Sequence, residues 1–545
     1  MTLLKKTVLT LAILASGALS VNAASPRIID QPYYKENSSQ LLNIDSIELS
    51  DTATILNASF YNSPGYWVSL NKGTYLKGRQ TGRRYIAEPS YRGYILGDRC
   101  VMPENGTMRI SLKFPPQEKN DTTIDLIEEG ADGFRILGVH TGLSPVKSKI
   151  HCRISGTTDD PNCSRLILLP CYSSHHVWNK KIIPVRNGRF SHDLYCEHPE
   201  IYELADGAEF MNGSFRPIEF VAEDGPVEIR VTHNGENVQT DVSGGEMNAT
   251  LSDFQKSRKG RSEIAMIDSL YEEMETLDRN NLLHSKEFSE VMEKLSQSGN
   301  SPEVRNDLFH KRDSLENIDM QYTPAGNMLK SKIDSIANRM RQLDIKFARE
   351  HVSVTGMGIL MRYAYFYGNN IADIIDVYRE SYSQWEPEHP YSVTMATIAA
   401  SGTTGKGDRF IDFTAPDLNG RDMTLSELIR GKIALVDMWA SWCGSCRTFS
   451  RQVIPIYEEY KDKGFTVVGI AREYKNTAAL EKAISRDGYP WLNLVEIDDR
   501  NGIWTRYRIA NAAGGTYLID RNGIIVAVNP SISEVKEYLR NVCGK

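Results

Sequence analysis

The chain has no uninterrupted run of 18 apolar residues, so no segment reads as a comfortable membrane-spanning helix. It has no surplus of positive charge. Lys and Arg number 63 against 70 Asp and Glu, a net charge of −7, which excludes a general nucleic-acid binder. Its one basic cluster, "KSRKGR" at 256–261, is short and reads as the solvated start of a helix. It has no flavin or nicotinamide fingerprint, because the glycines at 402–407 neither follow a strand nor open a helix. One C-x-x-C stands at 443–446 with no second to complete a zinc ribbon. Between Tyr507 and Asp520 there is no proline, an absence that matters once the C-x-x-C is considered.

What is present is ordinary globular material, 41% hydrophobic and 24% charged over 545 residues. That length exceeds what one core serves, and three or four domains are expected. The first residues, "MTLLKKTVLTLAILASGALSVNAAS", carry Lys5 and Lys6, then an apolar stretch, then small residues before Ala23–Ala24. This is the pattern of a signal peptide over 1–24. Its removal would take the charge from −7 to about −9. No cysteine follows the cleavage site, so a lipid anchor is not expected. The reading is a chain exported to an oxidising compartment, most simply a bacterial periplasm, without stable membrane insertion.

Export changes the meaning of eight cysteines. Cys100, Cys152, Cys163, Cys171 and Cys196 lie in the N-terminal half, and Cys443, Cys446 and Cys543 in the last quarter. The four from Cys152 to Cys196 are expected to form one or two structural disulfides, with the pairing open. The alternative is a metal site built from Cys163, Cys171, His175 and His176. Cys543 reads as a terminal-helix residue.

Residues 25–146 carry short alternating runs such as "TATILNASFYN" and "TMRISLKFPP", punctuated by Gly, Pro and Asn, the signature of a β-sandwich-like domain. A second β-rich domain is expected over 147–249, with "RNGRF" as a hairpin signal. The period then becomes helical. Ile264, Ile267, Leu270, Tyr271, Met274 and Leu277 recur at helix spacing, as do Ile333, Ile336, Met340, Leu343 and Phe347. A helical segment with a linker therefore spans 250–400, and "SGTTGKGDRF" at 401–410 reads as linker by composition. The aromatic stretch "YAYFYG" at 363–368 reads as a helix–helix core rather than a ligand site. From 401 to 545, strand–helix alternation ends in a hairpin across Asn522-Gly523 and a helix, giving an α/β sheet covered on both faces.

"VDMWASWCGSCRTFSR", 436–451, carries the chemistry. A cysteine at a helix N-terminus has its thiolate stabilised by free N–H groups and the helix dipole. Cys443 can then attack a disulfide, and Cys446, one turn on, can resolve the mixed disulfide. Gly444 and Ser445 keep the turn tight, and Trp442 covers one side of the sulfur. Asp437, flanked by Val436 and Met438, reads either as a buried proton acceptor for the resolving thiol or as an exposed strand-end carboxylate.

The C-terminal quarter, through "FIDFTAPDLNGRDMTLSELIRGKIALVDMWASWCGSCR", "FTVVGIA" and "YLIDRNG", resembles the TlpA/ResA-like thiol–disulfide oxidoreductases of thioredoxin fold. The resemblance implies Cys443 as nucleophile, Cys446 as resolving cysteine, Asp437 as the buried acid, and no cofactor. Its partners would be disulfide-bearing envelope proteins and a membrane electron donor. Two positions depart from the family pattern. Where the family has a cis-proline facing the cysteines, this chain has Gly514 or Gly515, and the loop is expected to be trans and reshaped, since a non-proline cis bond costs ~2.5–4 kcal/mol. Where many members have a glutamate three residues after the resolving cysteine, this chain has Phe449. Trp442, Gly444, Ser445, Gly514, Gly515 and Thr516 form the expected substrate-facing set. Two other readings stand beside the oxidoreductase: a binding or adaptor protein with a structural or redox-sensing C-terminal domain, and a chaperone-like isomerase.

Overall fold

The computed structural model describes residues 25–543, apart from 131–132, 173–178, 214–215, 235–236, 298, 300–301, 318–319, 367–370 and 510–513. The signal-peptide residues and His175 and His176 lie outside the described residues. The chain divides into two compact units, one built chiefly from 41–129 and 133–144, the other from 145 onward.

The first unit is all β. One antiparallel sheet runs in the order Arg27–Asp30, Leu42–Leu49, Thr54–Tyr61 and Thr107–Phe114. A second places Thr123–Ile127 between Arg135–His140 and Tyr75–Gly78, with Arg84–Ile86 beyond. Alternate residues from both sheets, Leu42, Ile44, Leu56, Phe60, Leu112, Leu126 and Ile136 among them, meet in one buried core, as period-two patterning demands.

The second unit starts with two four-stranded sheets. One has the order Arg189–Cys196, Ile150–Thr158, Gly225–Asn234 and Asn237–Ser243; the other Lys181–Pro184, Arg165–Pro170, Glu200–Asp206 and Ile218–Ala222. The "RNGRF" turn forms, with Asn187 and Gly188 both at positive φ (51° and 69°), the backbone of a two-residue hairpin turn. Its two strands do not pair along their length, however. Lys181–Pro184 pairs with Arg165–Pro170 and Arg189–Cys196 with Ile150–Thr158, so the turn carries the chain from one sheet to the other.

Helices follow from Glu246 to Ala400. Leu360, Met361, Ile374 and Tyr382 share a buried core with Ile201 and Val221 of the preceding sheet. In the helix Ser262–Arg279, Leu270 is buried while Tyr271 is exposed, and Leu343 is likewise turned outward. Neighbouring residues on a helix point about 100° apart, so both members of an apolar pair cannot enter so narrow a seam. Tyr363 is buried and donates its hydroxyl to Asp344 Oδ2 at 2.5 Å, an interior helix–helix contact.

The C-terminal domain is a five-stranded sheet, labelled here β1 (Ile433–Trp439), β2 (Phe465–Glu473), β3 (Leu492–Ile497), β4 (Gly515–Ile519) and β5 (Ile525–Val528), in spatial order β3-β2-β1-β4-β5. β1, β2 and β3 are parallel, and β4 and β5 antiparallel. Helices α1 (Gly444–Tyr460) and α2 (Ala478–Asp487) connect the parallel strands, short α3 (Ile503–Arg506) precedes β4, and α4 (Ile532–Cys543) closes the chain. Every residue of central β1 is buried, as a strand covered on both faces requires.

The stretch 401–410 is not a free linker. Gly407 N donates to Ile525 O, Ile525 N to Asp408 O and Phe410 N to Gly523 O, and Thr404 is buried. Glycine and threonine content reports backbone freedom in isolation, whereas here the β5 edge supplies hydrogen-bond partners. The domain is also docked on the helices before it: Pro390–Ala400 packs against α3, and Tyr365 lies beside Arg472 and Thr505.

Candidate active site

β1 delivers its C-terminal end to the loop Ala440–Trp442, and Cys443 caps α1. Cys443 and Cys446 form a disulfide. Cys446 N donates to Cys443 Sγ at 3.3 Å, the capping bond that would stabilise a Cys443 thiolate once the pair is reduced. Cys443 is buried, while Trp442, Gly444 and Ser445 are exposed in front of it. A Cβ on Gly444 would meet nothing within 4 Å; the turn does not depend on the missing side chain, and the glycine leaves the approach to the sulfur open. Ser445 Oγ lies 3.6 Å from Cys443 Sγ. The Trp442 ring stacks on Tyr474 with centroids 6.4 Å apart.

Two charged residues outside the motif hold this loop. Glu473, at the end of β2, accepts from Ser441 N at 2.7 Å and Ser441 Oγ at 2.8 Å. Burial pushes its carboxyl up, and the two Ser441 bonds oppose that rise. Arg447 donates to Ser441 O at 3.3 Å and grips Asp487 with two bonds of 2.6 and 2.8 Å, a forked geometry suited to guanidinium.

Behind the disulfide, Asp437 is buried in β1, which excludes the exposed strand-end reading. Burial pushes its carboxyl up to about 7, opposed by a hydrogen bond from Ser450. That bond is 2.6 Å long, and the same Ser450 Oγ lies 2.9 Å from Cys446 O.

β4 forms the facing wall. Thr516 sits opposite Asp437 and Gly515 opposite Met438. A Cβ on Gly514 would come within 2.0 Å of Met438 O and 3.0 Å of Cys446 Sγ. Gly514 is thus the position pressed against the disulfide, and only a residue without a side chain lets the backbone come so close. The Gly514–Gly515 peptide is trans; residues 510–513 of the same loop lie outside the described residues. Thr516 exchanges backbone hydrogen bonds with Asn529, its N–H donating to Asn529 Oδ1 and its carbonyl accepting from Asn529 N. Its backbone is therefore committed, Gly515 is buried, and Gly514 and Thr516 are each half-buried. Phe449, where the resemblance would place a glutamate, is buried with Trp439 and Val453 in the domain core.

The motif residues were readable from spacing. Ser450, Glu473, Arg447 and Asp487 were not singled out. Ser450 had a signal, since four residues after Cys446 is the same helix face. Glu473 had one too, a carboxylate closing the apolar run "FTVVGIARE".

The N-terminal cysteines do not form the expected structural disulfides: Cys100, Cys152, Cys163, Cys171 and Cys196 are all free. Cys163 and Cys171 flank the strand Arg165–Pro170, which at ~3.3 Å per residue holds them some 20 Å or more apart. One ion cannot take both. Among the described residues the group with metal-ligand spacing is Cys171, Glu203 and Glu219. There the Cys171 thiol lies 3.4 Å from Glu203 Oε1, and Glu219 already pairs with Arg362.

Residues 406–528 match the AhpC/TSA family, and the C-terminal domain is thioredoxin-like. The chain is 33% identical over 117 residues to the thiol:disulfide interchange protein DsbE of Allochromatium vinosum, covering 21% of this chain and 60% of that protein. It is 28% identical over 130 residues to the thiol-disulfide oxidoreductase ResA of Geobacillus kaustophilus, covering 24% of this chain and 69% of the relative. Among solved structures it is similar to the thioredoxin domain of a Bacteroides vulgatus thiol-disulfide oxidoreductase, at 26% identity and a TM-score of 0.24, over 26% of this chain and 99% of that one. No helix among the described residues is long and apolar enough to cross a membrane.

Proposed function

We propose that this chain is an exported thiol–disulfide oxidoreductase that reduces disulfides of periplasmic proteins with the Cys443–Cys446 dithiol. The observation that carries the reading is one arrangement: a disulfide at the N-terminus of α1, with a buried carboxyl joined to the same helix through Ser450. In the reduced enzyme the Cys443 thiolate attacks one sulfur of a client disulfide. A Cys443–client bond forms and the client's other sulfur leaves as thiolate. Cys446 then gives its proton to Asp437 and attacks Cys443 sulfur; the Cys443–Cys446 bond forms, and the client leaves with the two electrons. Trp442, Gly444, Ser445 and Gly514 form the face presented to the client, with Gly515 and Thr516 holding that wall behind it. A membrane electron donor is the reductant that would return the pair to dithiol.

The proposed organisation is a signal peptide over 1–24, β domains over 25–146 and 147–249, a helical segment over 250–400 and the thioredoxin-like domain over 401–545. The N-terminal segments would serve to hold clients. A second reading, an envelope binding or adaptor protein with a redox-sensing domain, is favoured by the docking of Tyr365 beside Arg472, which ties the domain to the helices rather than leaving it a free module. The two readings separate in a turnover assay. Full-length protein is given dithiothreitol and a disulfide-bearing protein substrate, and catalysis is compared with Cys443→Ser. Turnover lost in the variant supports the enzyme; equal rates for both support the adaptor.

A further inference from the structure

Ser441 and Trp442 are the central residues of the tight turn that joins β1 to α1. Cys443 N closes the turn by donating to Ala440 O at 3.0 Å, and Arg447 N opens the helix by donating to Cys443 O at 3.1 Å. Such a turn leaves the polar groups of its central residues to find partners elsewhere. At Ser441 all of them are met by side chains. Glu473 Oε1 accepts from Ser441 N at 2.7 Å, and Glu473 Oε2 from Ser441 Oγ at 2.8 Å. Arg447 Nη1 donates to Ser441 O at 3.3 Å, while its Nε and Nη2 hold Asp487. Asp487 is itself fixed by the Tyr489 hydroxyl at 3.0 Å. Glu473 is only 3% exposed, and among the described residues it has no ion pair. The guanidinium of adjacent Arg472 is turned instead to Asp499, with bonds of 2.8 and 2.6 Å. Both bonds made by this buried carboxyl go to one residue of the active-site turn.

We propose that Glu473 is a positioning residue for Cys443: by holding Ser441 it aims the Cys443 sulfur at the N–H groups that open α1. The inference rests on the oxidoreductase reading. β1 ends at Trp439, so at Ser441 no sheet partner steadies the backbone, and the end of β2 supplies the brace instead. Cys443 follows two residues later, and the Cys446 N–H reaches its sulfur at 3.3 Å. A hydrogen bond weakens steeply as its angle closes, so a small rotation of the Ser441–Trp442 peptide swings the sulfur off that donor. The thiolate is the attacking species, and its share of Cys443 at a given pH therefore depends on how well the turn is held. Burying a carboxyl without a cation beside it costs free energy that an apolar side chain would not. The bonds to Ser441 are what the fold gains in return. The charge of Glu473 acts in the opposite sense, since a negative neighbour disfavours a thiolate. Aim and charge thus predict shifts of opposite sign when the carboxylate is removed.

The test uses the full-length protein, reduced and then freed of reductant. Alkylation of Cys443 by iodoacetamide is followed by peptide mass spectrometry from pH 5 to 9. Asp437 is intact in every variant, so its own titration is common to all the profiles. In Glu473→Ala the pH midpoint is expected to rise, with alkylation at pH 6 about tenfold slower, the worth of one hydrogen bond to a charged group. Glu473→Gln keeps an acceptor for Ser441 N and a partner for Ser441 Oγ, and is expected to restore the wild-type profile. Ser441→Ala removes one of the two bonds and should move the midpoint the same way by less; it decides the matter if Glu473→Ala does not fold. A role in packing alone would lower melting temperatures and leave every profile in place, which overturns the inference. If Ala and Gln both lower the midpoint, the charge and not the aim is what matters, and the inference fails while the oxidoreductase reading survives. If wild type turns over a protein disulfide no faster than Cys443→Ser, the oxidoreductase reading fails and takes this inference with it.

Discussion

Two regions of this chain bury cysteines, and they do opposite things with them. In the second β region, Cys152 and Cys196 sit within a sandwich core, and burial pushes both thiols up to about 12. Burial likewise raises Cys163 and Cys171, with nearby carboxylates adding to the effect. Cys443 is buried too, yet it sits at a helix N-terminus with the Cys446 N–H pointed at its sulfur. On the proposed function, burial alone does not decide reactivity. The local donors do, because the thiolate needs compensation for the water it has lost.

The comparison breaks most sharply under substitution. Cys443→Ser is expected to bring disulfide reduction down to the uncatalysed background, while Cys171→Ala leaves the rate unchanged. Steady-state turnover of a protein disulfide measures both. If Cys171→Ala abolished activity, the N-terminal cysteines would belong to the chemistry and the contrast would be lost.

Alkylation sharpens it. After gentle reduction at pH 7, iodoacetamide should modify Cys443 first. Cys152 and Cys196, three units above an ordinary thiol by the values given above, should carry about 10³-fold less thiolate. Peptide mass spectrometry over a time course reads the order directly.

A third difference lies in the carboxyl group behind the reactive pair. Asp437→Asn is expected to slow the resolving step by about 10²-fold, the usual worth of a positioned acid–base group. It also changes stability in a stated direction. The folded carboxyl is raised from 3.8 to about 7, so its protonated form is the one the fold favours. Its contribution is full below about pH 4 and lost as the pH rises through 7. Oxidised wild type should therefore lose on the order of a few kcal/mol between pH 5 and 8 that Asp437→Asn does not lose, as thermal melts at the two pH values would show.

The smallest effect concerns the facing wall. Gly514→Ala places a methyl group 2.0 Å from Met438 O, a backbone atom that cannot swing aside. The substitution is expected to cost about 1–3 kcal/mol in urea unfolding, as overpacking does. The same change at Gly444, with open space before it, should cost far less.

How much of this was legible follows from which contacts are local. The C-x-x-C, its helix and the apolar strand before it lie within one short stretch, and the residues around Asp437 already suggested burial. The Asn187-Gly188 turn was legible for the same reason, since positive φ is a property of two residues. Where its strands went was not, because turn chemistry says nothing about sheet partners. The metal site, and a Cys163–Cys171 disulfide with it, failed on geometry that spacing does not carry: a six-residue strand between the two cysteines. Tyr489 and Asp487, some 40 residues beyond the motif by sequence numbering, reach the site through the fold of α2 and the loop after it.

The most direct test of the central claim is the reduction potential of the Cys443–Cys446 pair in the full-length protein, by dithiothreitol titration with mass-spectrometric thiol counting. The account expects one two-electron transition near the thioredoxin value, about −270 mV, with Cys152, Cys163, Cys171 and Cys196 silent throughout. A pair that stays oxidised or reduced across the whole range would contradict it.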